Sequence, residues 1–348
     1  MDLKLLCERA HIMTINEIAK LANTSRGTVD RVINNRGKVR KELAEKILQI
    51  IEETNYKPNE IGRSLSLSNR KILVGAIIGS KRNSFFNLII DGFHAAEEKY
   101  RNTGLQLILK QTSLFDKNEI IQAIRELKNT GIEALIVASL NDPDICNELN
   151  ELNIPIIALN IDLDVENKIC FIGSDYYNSG ALSANFANLI LNKDEKLAIV
   201  VSSLKHSGQS ERIQGFKDKL SSKLKLIDIK ENFDDDDVSY DIVKELIDEN
   251  ELSLIVFLGA GIDGGLEAID DSNRNIKAIT VDQSEKVEQG LQNGRVIATI
   301  TQHPYTQGKH AVEIIYDYLV RKIEISDKKI LDNSIVLKES MIPHKMKI

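Results

Sequence analysis

The sequence predicts an α/β protein in which a small N-terminal all-α head precedes two doubly wound parallel-sheet subdomains. Three observations predict it. The length of 348 residues suits two or three domains. The charge divides sharply: residues 1–70 hold thirteen Lys and Arg against nine Asp and Glu, a net +4, and the remainder holds 32 against 43, a net −11. From residue 72 onward, short apolar runs alternate with amphipathic helical stretches, the pattern of parallel sheets covered by helices on both faces. The overall charge of −7 therefore describes the larger part and hides a basic head.

Thr14-Ile15-Asn16-Glu17 has the form of a capping box, with Thr14 capping a helix and Glu17 reaching back. Ile15, Ile18, Ala19 and Ala22 repeat at helical spacing. Asn23-Thr24 interrupts the pattern, and Asn tolerates the left-handed backbone that a tight turn needs. Ser25 caps a second helix from Arg26 to about Asn34, with Val29, Val32 and Ile33 inward. A third runs from about Arg40 to Thr54, with Leu43, Ile47, Leu48, Ile50 and Ile51 apolar. Two short helices, a turn and a packing helix form the helix-turn-helix pattern, whose second helix enters the major groove of DNA. Around that second helix lie Arg26, Arg31, Arg36, Lys38, Arg40 and Lys41 against Asp30, the clustering that phosphate contact by counterion release requires.

In the body, strand-like runs fall at 72–78, 105–109, 132–138, 154–160, 197–201, 224–229, 253–258, 276–281 and 296–301, with a further run ending at Ser174-Asp175. Nine or ten strands over about 260 residues point to two sheets. Ligands of such sheets sit at the carboxyl ends of the strands. Strand one ends at Gly79, shortly before Asn83, Phe85 and Phe86. Other strand ends deliver Asn160, Asp175, Asp282 and Gln302, and between them lie Arg212 and Phe233. Aromatic faces for apolar C–H surfaces, with Asn, Asp, Arg and Gln for hydroxyls that both donate and accept, make up the chemistry of a sugar site.

A resemblance sharpens both parts. Thr14-Ile15, Ile18-Ala19, Ala22, Ser25, Thr28-Val29 and Arg31-Val32-Ile33-Asn34, followed by Tyr56-Lys57-Pro58-Asn59 with Ile61, Arg63, Ser64 and Leu65, are similar to the headpiece of the lac repressor family. That resemblance implies a headpiece over 13–58, a hinge helix and linker over 59–70, and an effector-binding and dimerisation domain over 71–340. It places Arg26, Gly27 and Arg31 at base-reading positions and Thr14, Ser25, Thr28 and Asn34 at backbone or base contacts. Lys38 and Arg63 supply further positive charge, and Leu65 becomes the wedge that kinks the minor groove. Gly27 offers no side chain, so base readout falls on Arg26 and Arg31. Asp30 stands where a serine is usual, and an acid there either repels phosphate, orients Arg26 through an i,i+4 pair or accepts from a cytosine amine. Residues 1–12 extend the headpiece without an assigned role.

The body resembles periplasmic ribose- and galactose-type binding proteins, the periplasmic-binding-protein type I fold, over roughly 71–340. On that resemblance Asn83, Phe85, Phe86, Asn160, Asp175, Arg212, Phe233, Asp282 and Gln302 are the ligand positions. Ser84 replaces a proline in the first loop, and Asn160-Ile161 replaces an Asp-Arg pair, which argues against plain ribose. The resemblance implies a homodimer on double-stranded operator DNA, controlled by a small carbohydrate-like effector.

One motif competes. Gly259-Ala260-Gly261-Ile262-Asp263-Gly264 follows an apolar strand and precedes a helix, and Asp282 ends the next strand, which meets the conditions for a dinucleotide fingerprint. A redox-sensing regulator or an NAD-dependent enzyme is the alternative. It ranks second because the fingerprint normally sits on the first strand of its domain.

Other chemistry is not expected. Cys7, Cys146 and Cys170 are widely spaced and lack a CxxC, so neither a disulfide framework nor a zinc site is expected. Asp234–Asp237 lacks the alternate spacing and glycine of a calcium loop and reads as a solvated helix N-terminus. His310 and Glu313 lack a third partner. No P-loop, HExxH or G-x-S-x-G occurs, so neither an enzyme nor a bound cofactor or metal is expected. No apolar run approaches ~18 residues, and bulky Leu6 spoils a lipoprotein-like Leu-Leu-Cys start. A cytoplasmic protein without membrane contact is expected, and 322–348 show no apolar heptad for a tetramerising coiled coil.

Overall fold

A computed structural model describes residues 13–33, 37, 39–54, 71–79 and 83–340. The described chain divides into two compact units, the first made of the described residues up to Lys71 together with Asn102–Gly104. In the first unit three helices follow one another: α1 (Ile15–Leu21), α2 (Arg26–Ile33) and α3 (Lys41–Glu53). The capping box is complete, because Thr14 Oγ1 accepts from the Glu17 amide at 3.4 Å and Glu17 Oε2 accepts from the Thr14 amide at 2.7 Å. Asn23 takes the left-handed backbone at φ 54°, so α1 ends where the turn residue allows it. Ile18, Ala19, Ala22, Val29 and Ile47 are buried together. Leu48 departs from the expected apolar set: it is 52% exposed, since it follows Ile47 by one residue and so points about 100° away around the helix.

The second unit contains two six-stranded sheets. The first takes β1 (Ile72–Ile78), β2 (Leu105–Gln111), β3 (Ala134–Val137), β4 (Ile156–Leu159), β5 (Lys168–Ser174) and β11 (Lys328–Leu331), in the order β11-β5-β4-β3-β1-β2. The second takes β6 (Lys196–Val201), β7 (Lys225–Glu231), β8 (Leu254–Phe257), β9 (Lys277–Val281), β10 (Val296–Thr301) and β12 (Ser334–Val336), in the order β12-β10-β9-β8-β6-β7. All described pairings are parallel except β10 with β12. Strands β11 and β12 escape the sequence pattern because they are short, half-exposed edges, and Lys328-Lys329 breaks the apolar run of the first.

Both faces of each sheet are covered. Helices α4 (Ser84–Tyr100), α5 (Lys117–Thr130) and α6 (Pro143–Asn150) follow β1, β2 and β3. Ile120, Ile124 and Leu127 of α5 bury completely against Leu135 and Ile156, worth roughly 1.5–3 kcal/mol apiece. In the second sheet, α7 (Tyr176–Ile190) and α8 (Ser207–Lys219) cover the face of Leu197, Ile199 and Val256. Helices α9 (Asp236–Glu249), α10 (Ile262–Asp271) and α11 (Glu285–Asn293) cover the face of Val200, Ile255 and Phe257. Side chains of β8 thus alternate between two cores, as a strand buried on both faces must. Helix α12 (Pro304–Tyr316) follows β10 yet returns to the first subdomain, packing on α4. Their backbones approach so closely that a Cβ on Gly92 would meet the Tyr305 carbonyl at 2.1 Å and one on Gly308 the Ile89 carbonyl at 2.1 Å.

The described chain passes between the subdomains three times, at Ser174–Tyr176, Gln302–Pro304 and Leu331–Ser334. The crossings are tied together. Asn333 Nδ2 donates to the Asp175 carbonyl at 2.6 Å, His303 Nε2 pairs with Ser334 Oγ at 2.8 Å, and Ser174 Oγ donates to Gln302 Oε1 at 3.2 Å.

Candidate functional site

In the head, Ser25 accepts from the Thr28 amide at 3.2 Å and its hydroxyl meets that of Thr28 at 2.9 Å, which fixes the first turn of α2. Arg26, Gly27 and Arg31 then lie exposed on α2, opposite buried Val29. The helix presents its basic side chains outward and spends its apolar ones on packing. Thr14 caps α1. Asn34, Lys38, Arg63 and Leu65, with the whole 59–70 hinge, lie outside the described residues.

In the body, the carboxyl ends of the strands of both sheets converge on one cavity of about 90 Å³. Seven of the nine expected residues line it: Asn83, Phe85, Phe86, Asn160, Arg212, Asp282 and Gln302. Asn83 caps α4 by accepting from the Phe85 amide at 3.0 Å, which holds both phenyl rings in the first turn. Those rings meet edge to face at 5.2 Å. Ser84, where a proline was the resemblance's norm, donates across the cleft to the Gln283 carbonyl at 3.2 Å, a bond that proline has no group to make.

The polar wall is interlocked. Asp282, at a left-handed φ of 67°, accepts from the Gln302 amide at 3.0 Å and from the Gln302 side-chain amide. Gln302 in turn accepts from Ser174 in the first crossing, so the cavity wall and the hinge share a side chain. Arg212 is buried; its Nη1 donates to the Leu258 carbonyl at 2.8 Å and its guanidinium lies 4.9 Å from the centre of the Tyr176 ring. Burial pushes the Arg212 pKa down, against the pull of Tyr176, Asp282 and Asp234. Burial pushes the Asp282 carboxyl up, against the Gln302 bonds and Arg212.

Two expected residues are elsewhere. Asp175 is exposed and does not line the cavity: its side chain caps α7, accepting from the Asn178 amide at 2.8 Å, and its carbonyl joins the hinge. An Asp just before a helical run is an N-cap signal, and that is the role it fills. Phe233 is 52% exposed and stands outside the cavity, edge to face with Phe115 at 6.0 Å.

Other residues the sequence reading passed over do line the cavity. The run Asp234–Asp237 is not uniformly a solvated helix start. Asp235 is the N-cap of α9, accepting from Asp237 and Val238, and Asp236 accepts from the Gly264 amide at 3.0 Å. Asp234 precedes the cap and turns inward, where Ser202 Oγ donates to it. Burial raises its carboxyl, and the Ser202 hydroxyl, the Ala260 amide, Arg212 and Asn83 oppose the rise. Ser202, His206 and Gln209 complete this wall. They follow β6, whose carboxyl end the strand-end rule applied to the other strands would have flagged. His206 Nε2 lies 3.3 Å from Asn160 Oδ1, and Nδ1 has no partner among the described residues. Burial, reinforced by Arg212, pushes its pKa down to about 3, so the ring is neutral.

The glycine run lies in the same wall, after β8, the third strand of its subdomain in chain order. Gly261 adopts φ +74° at the start of α10, and a Cβ on Gly259 would stand 2.2 Å from Ser202 Oγ. A Cβ on Gly264 would stand 1.8 Å from the Asp236 carbonyl. Close packing therefore accounts for each glycine without a pyrophosphate.

Two parallel sheets with a polar cleft between their strand ends and a three-strand hinge define a bilobal ligand-binding body, here preceded by a helix-turn-helix. The chain has the fold of a solute binding protein from Agrobacterium vitis with bound alpha-D-tagatopyranose (TM-score 0.72, 18% identity, 79% of this chain and 97% of that one). The family "Periplasmic binding protein domain" matches residues 74–323, and "Bacterial regulatory proteins, lacI family" matches 14–59. Over its full length the chain is similar to the ribose operon repressor of Haemophilus influenzae, 24% identical over 94% of this chain and 98% of that protein. It is likewise similar to catabolite control protein A of Priestia megaterium, 24% identical over 96% and 97%. The chain belongs to the lacI family of bacterial regulatory proteins, with a body of the periplasmic-binding-protein family: it is a ligand-responsive, DNA-binding transcriptional regulator.

Proposed function

We propose that the protein is a cytoplasmic, non-enzymatic repressor that binds a pseudo-palindromic operator as a homodimer and senses a carbohydrate-like effector in its cleft. Arg26 and Arg31 read bases from the exposed side of α2, Thr14, Ser25 and Thr28 meet the backbone, and Asn34, Lys38, Arg63 and Leu65 extend the contact. In the cleft, Asn83, Asn160, Arg212, Asp234, Asp282 and Gln302 serve hydroxyls while Phe85 and Phe86 serve a ring face. Asp234, Asp236, Asp263 and Asp282 against Arg212 leave the lining acidic, which favours an uncharged effector over a phosphorylated one.

The observation that carries this reading is the chain of bonds from Asp282 through Gln302 to Ser174. A ligand that draws on Asp282 or Gln302 competes for bonds one step from the hinge, so the open and closed bodies bind it with different strength. Operator affinity then follows that difference. No helix among the described residues is long and apolar enough to cross a membrane.

A thermal-shift screen of the full chain against sugars, sugar phosphates, cyclitols and NAD(H) tests the effector class. A ligand at ~100 times its Kd adds ~2.7 kcal/mol to the folded state. Stabilisation by neutral sugars or cyclitols supports the reading; a response to NAD(H) alone overturns it.

A further inference from the structure

The cleft has a second chamber, of about 250 Å³, to which Ser113, Phe115, Phe233 and Asp235 contribute, none of which lines the inner cavity. It shares Asn83, Phe86, Leu114 and Asp234 with the inner cavity, so the two adjoin along one wall. Its outer wall is Phe115, after β2, and Phe233, after β7, ring planes at 85°. Phe233 holds a left-handed φ of 54° while half its surface is exposed. The conformation belongs to a turn over Asn232 to Asp235, closed by the Asp235 amide donating to the Asn232 carbonyl at 3.0 Å, and it leaves the phenyl ring at the surface.

The position of the chamber adds a mechanical argument. β2 and β7 lie at the sheet edges remote from the strands that carry the crossings. Four strand spacings separate β2 from β5, about 19 Å at roughly 4.8 Å each. Phe115 and Phe233 therefore sit at the mouth, where hinge rotation moves the lips farthest. A group held there resists opening with the longest lever.

We propose that this chamber is a second subsite and that the effector is a two-ring glycoside. Its first sugar ring occupies the inner cavity, and its second ring lies against Phe115 and Phe233. The inner cavity suits the hydroxyl-rich ring because polar groups converge there. The outer one suits a second ring because two phenyl faces and an adjoining carboxylate, Asp234, offer stacking and one acceptor. This inference rests on the carbohydrate reading of the cleft and extends it to the ligand's size.

The test is isothermal titration of the full chain with D-glucose, D-galactose, D-mannose and D-xylose. Each is compared with its phenyl glycosides and with disaccharides carrying it at the non-reducing end. The two-ring compounds of at least one sugar should bind tighter than that sugar by about tenfold. Phe115→Ala should bring that ratio close to one, and Phe233→Ala, at an exposed site, should do the same. A monosaccharide that binds as tightly as its glycosides overturns the inference, as does an advantage that survives both variants. If none of these binds and the thermal-shift screen likewise finds no sugar or cyclitol, the carbohydrate reading itself falls and this inference with it.

Discussion

Replacing His206 by Phe should make the protein less sensitive to acid. The ring is buried and neutral with a pKa of about 3, against an ordinary value of 6.5, because burial and the neighbouring Arg212 both oppose a second proton. An unfolded chain takes that proton near pH 6.5 and the folded chain does not. Stability from the neutral ring is therefore fully present above about pH 6.5 and is lost as pH falls toward 3. Each pH unit in that window costs about 1.4 kcal/mol. Between pH 7.5 and 5.0 the titration covers about 1.5 units below the ordinary value, hence about 2 kcal/mol. Asp234, Asp263 and Asp282 work in the opposite sense, since burial raises their carboxyls and the folded state gains protons early. They remain in both proteins, so the difference between wild type and His206→Phe isolates the histidine. Urea unfolding followed by circular dichroism at both pH values gives that difference. The variant should carry a fixed offset at pH 7.5 and recover about 2 kcal/mol relative to wild type at pH 5.0. Parallel losses in the two proteins would refute the argument that a neutral, desolvated His206 is built into the cleft.

Three further outcomes follow from the geometry. Thr14→Ala removes the acceptor of the α1 capping box and should cost the head about 1 kcal/mol, read from its urea midpoint. Arg31→Ala, exposed on α2, should weaken binding to an operator selected from random DNA by ~1–3 kcal/mol while effector titrations stay unchanged; undiminished DNA affinity would contradict the assigned reading helix. Gly215→Val should prevent α7 and α8 from packing, because even a Cβ there would stand 2.0 Å from the Tyr177 carbonyl. Its melting temperature should fall by several degrees in differential scanning calorimetry.

Much of this was legible from residue order. The capping box at Thr14 and Glu17, the left-handed Asn23 and the strand-helix alternation are local signals, set by hydrogen bonds and spacing within a few residues. The strand-end rule likewise brought Asn83, Asn160, Asp282 and Gln302 to one place, because parallel strands all end on the same side of their sheet. Local signals also had two meanings in places. Asp175 and Asp282 both end strands, yet one caps a helix at the hinge and the other faces the cavity. Within Asp234–Asp237, the cap at Asp235 separates a carboxylate turned inward from two in the first turn of α9.

What the sequence by itself determined is the set of elements apart from the edge strands β11 and β12, the basic head on an acidic body, and the chemical types available at most of the strand ends. Only the tertiary structure decided which of those groups meet. It joined Ser174 to Gln302 across 128 residues, buried His206 beside Asn160, and set Phe115 against Phe233 at the mouth. The reason is physical: caps, turns and amphipathic faces are settled within one turn or one strand, whereas a cleft forms where segments far apart in the chain cross. Burial there, which shifts Asp234, Asp282 and His206 from their ordinary ionisation, exists only once both subdomains close around them.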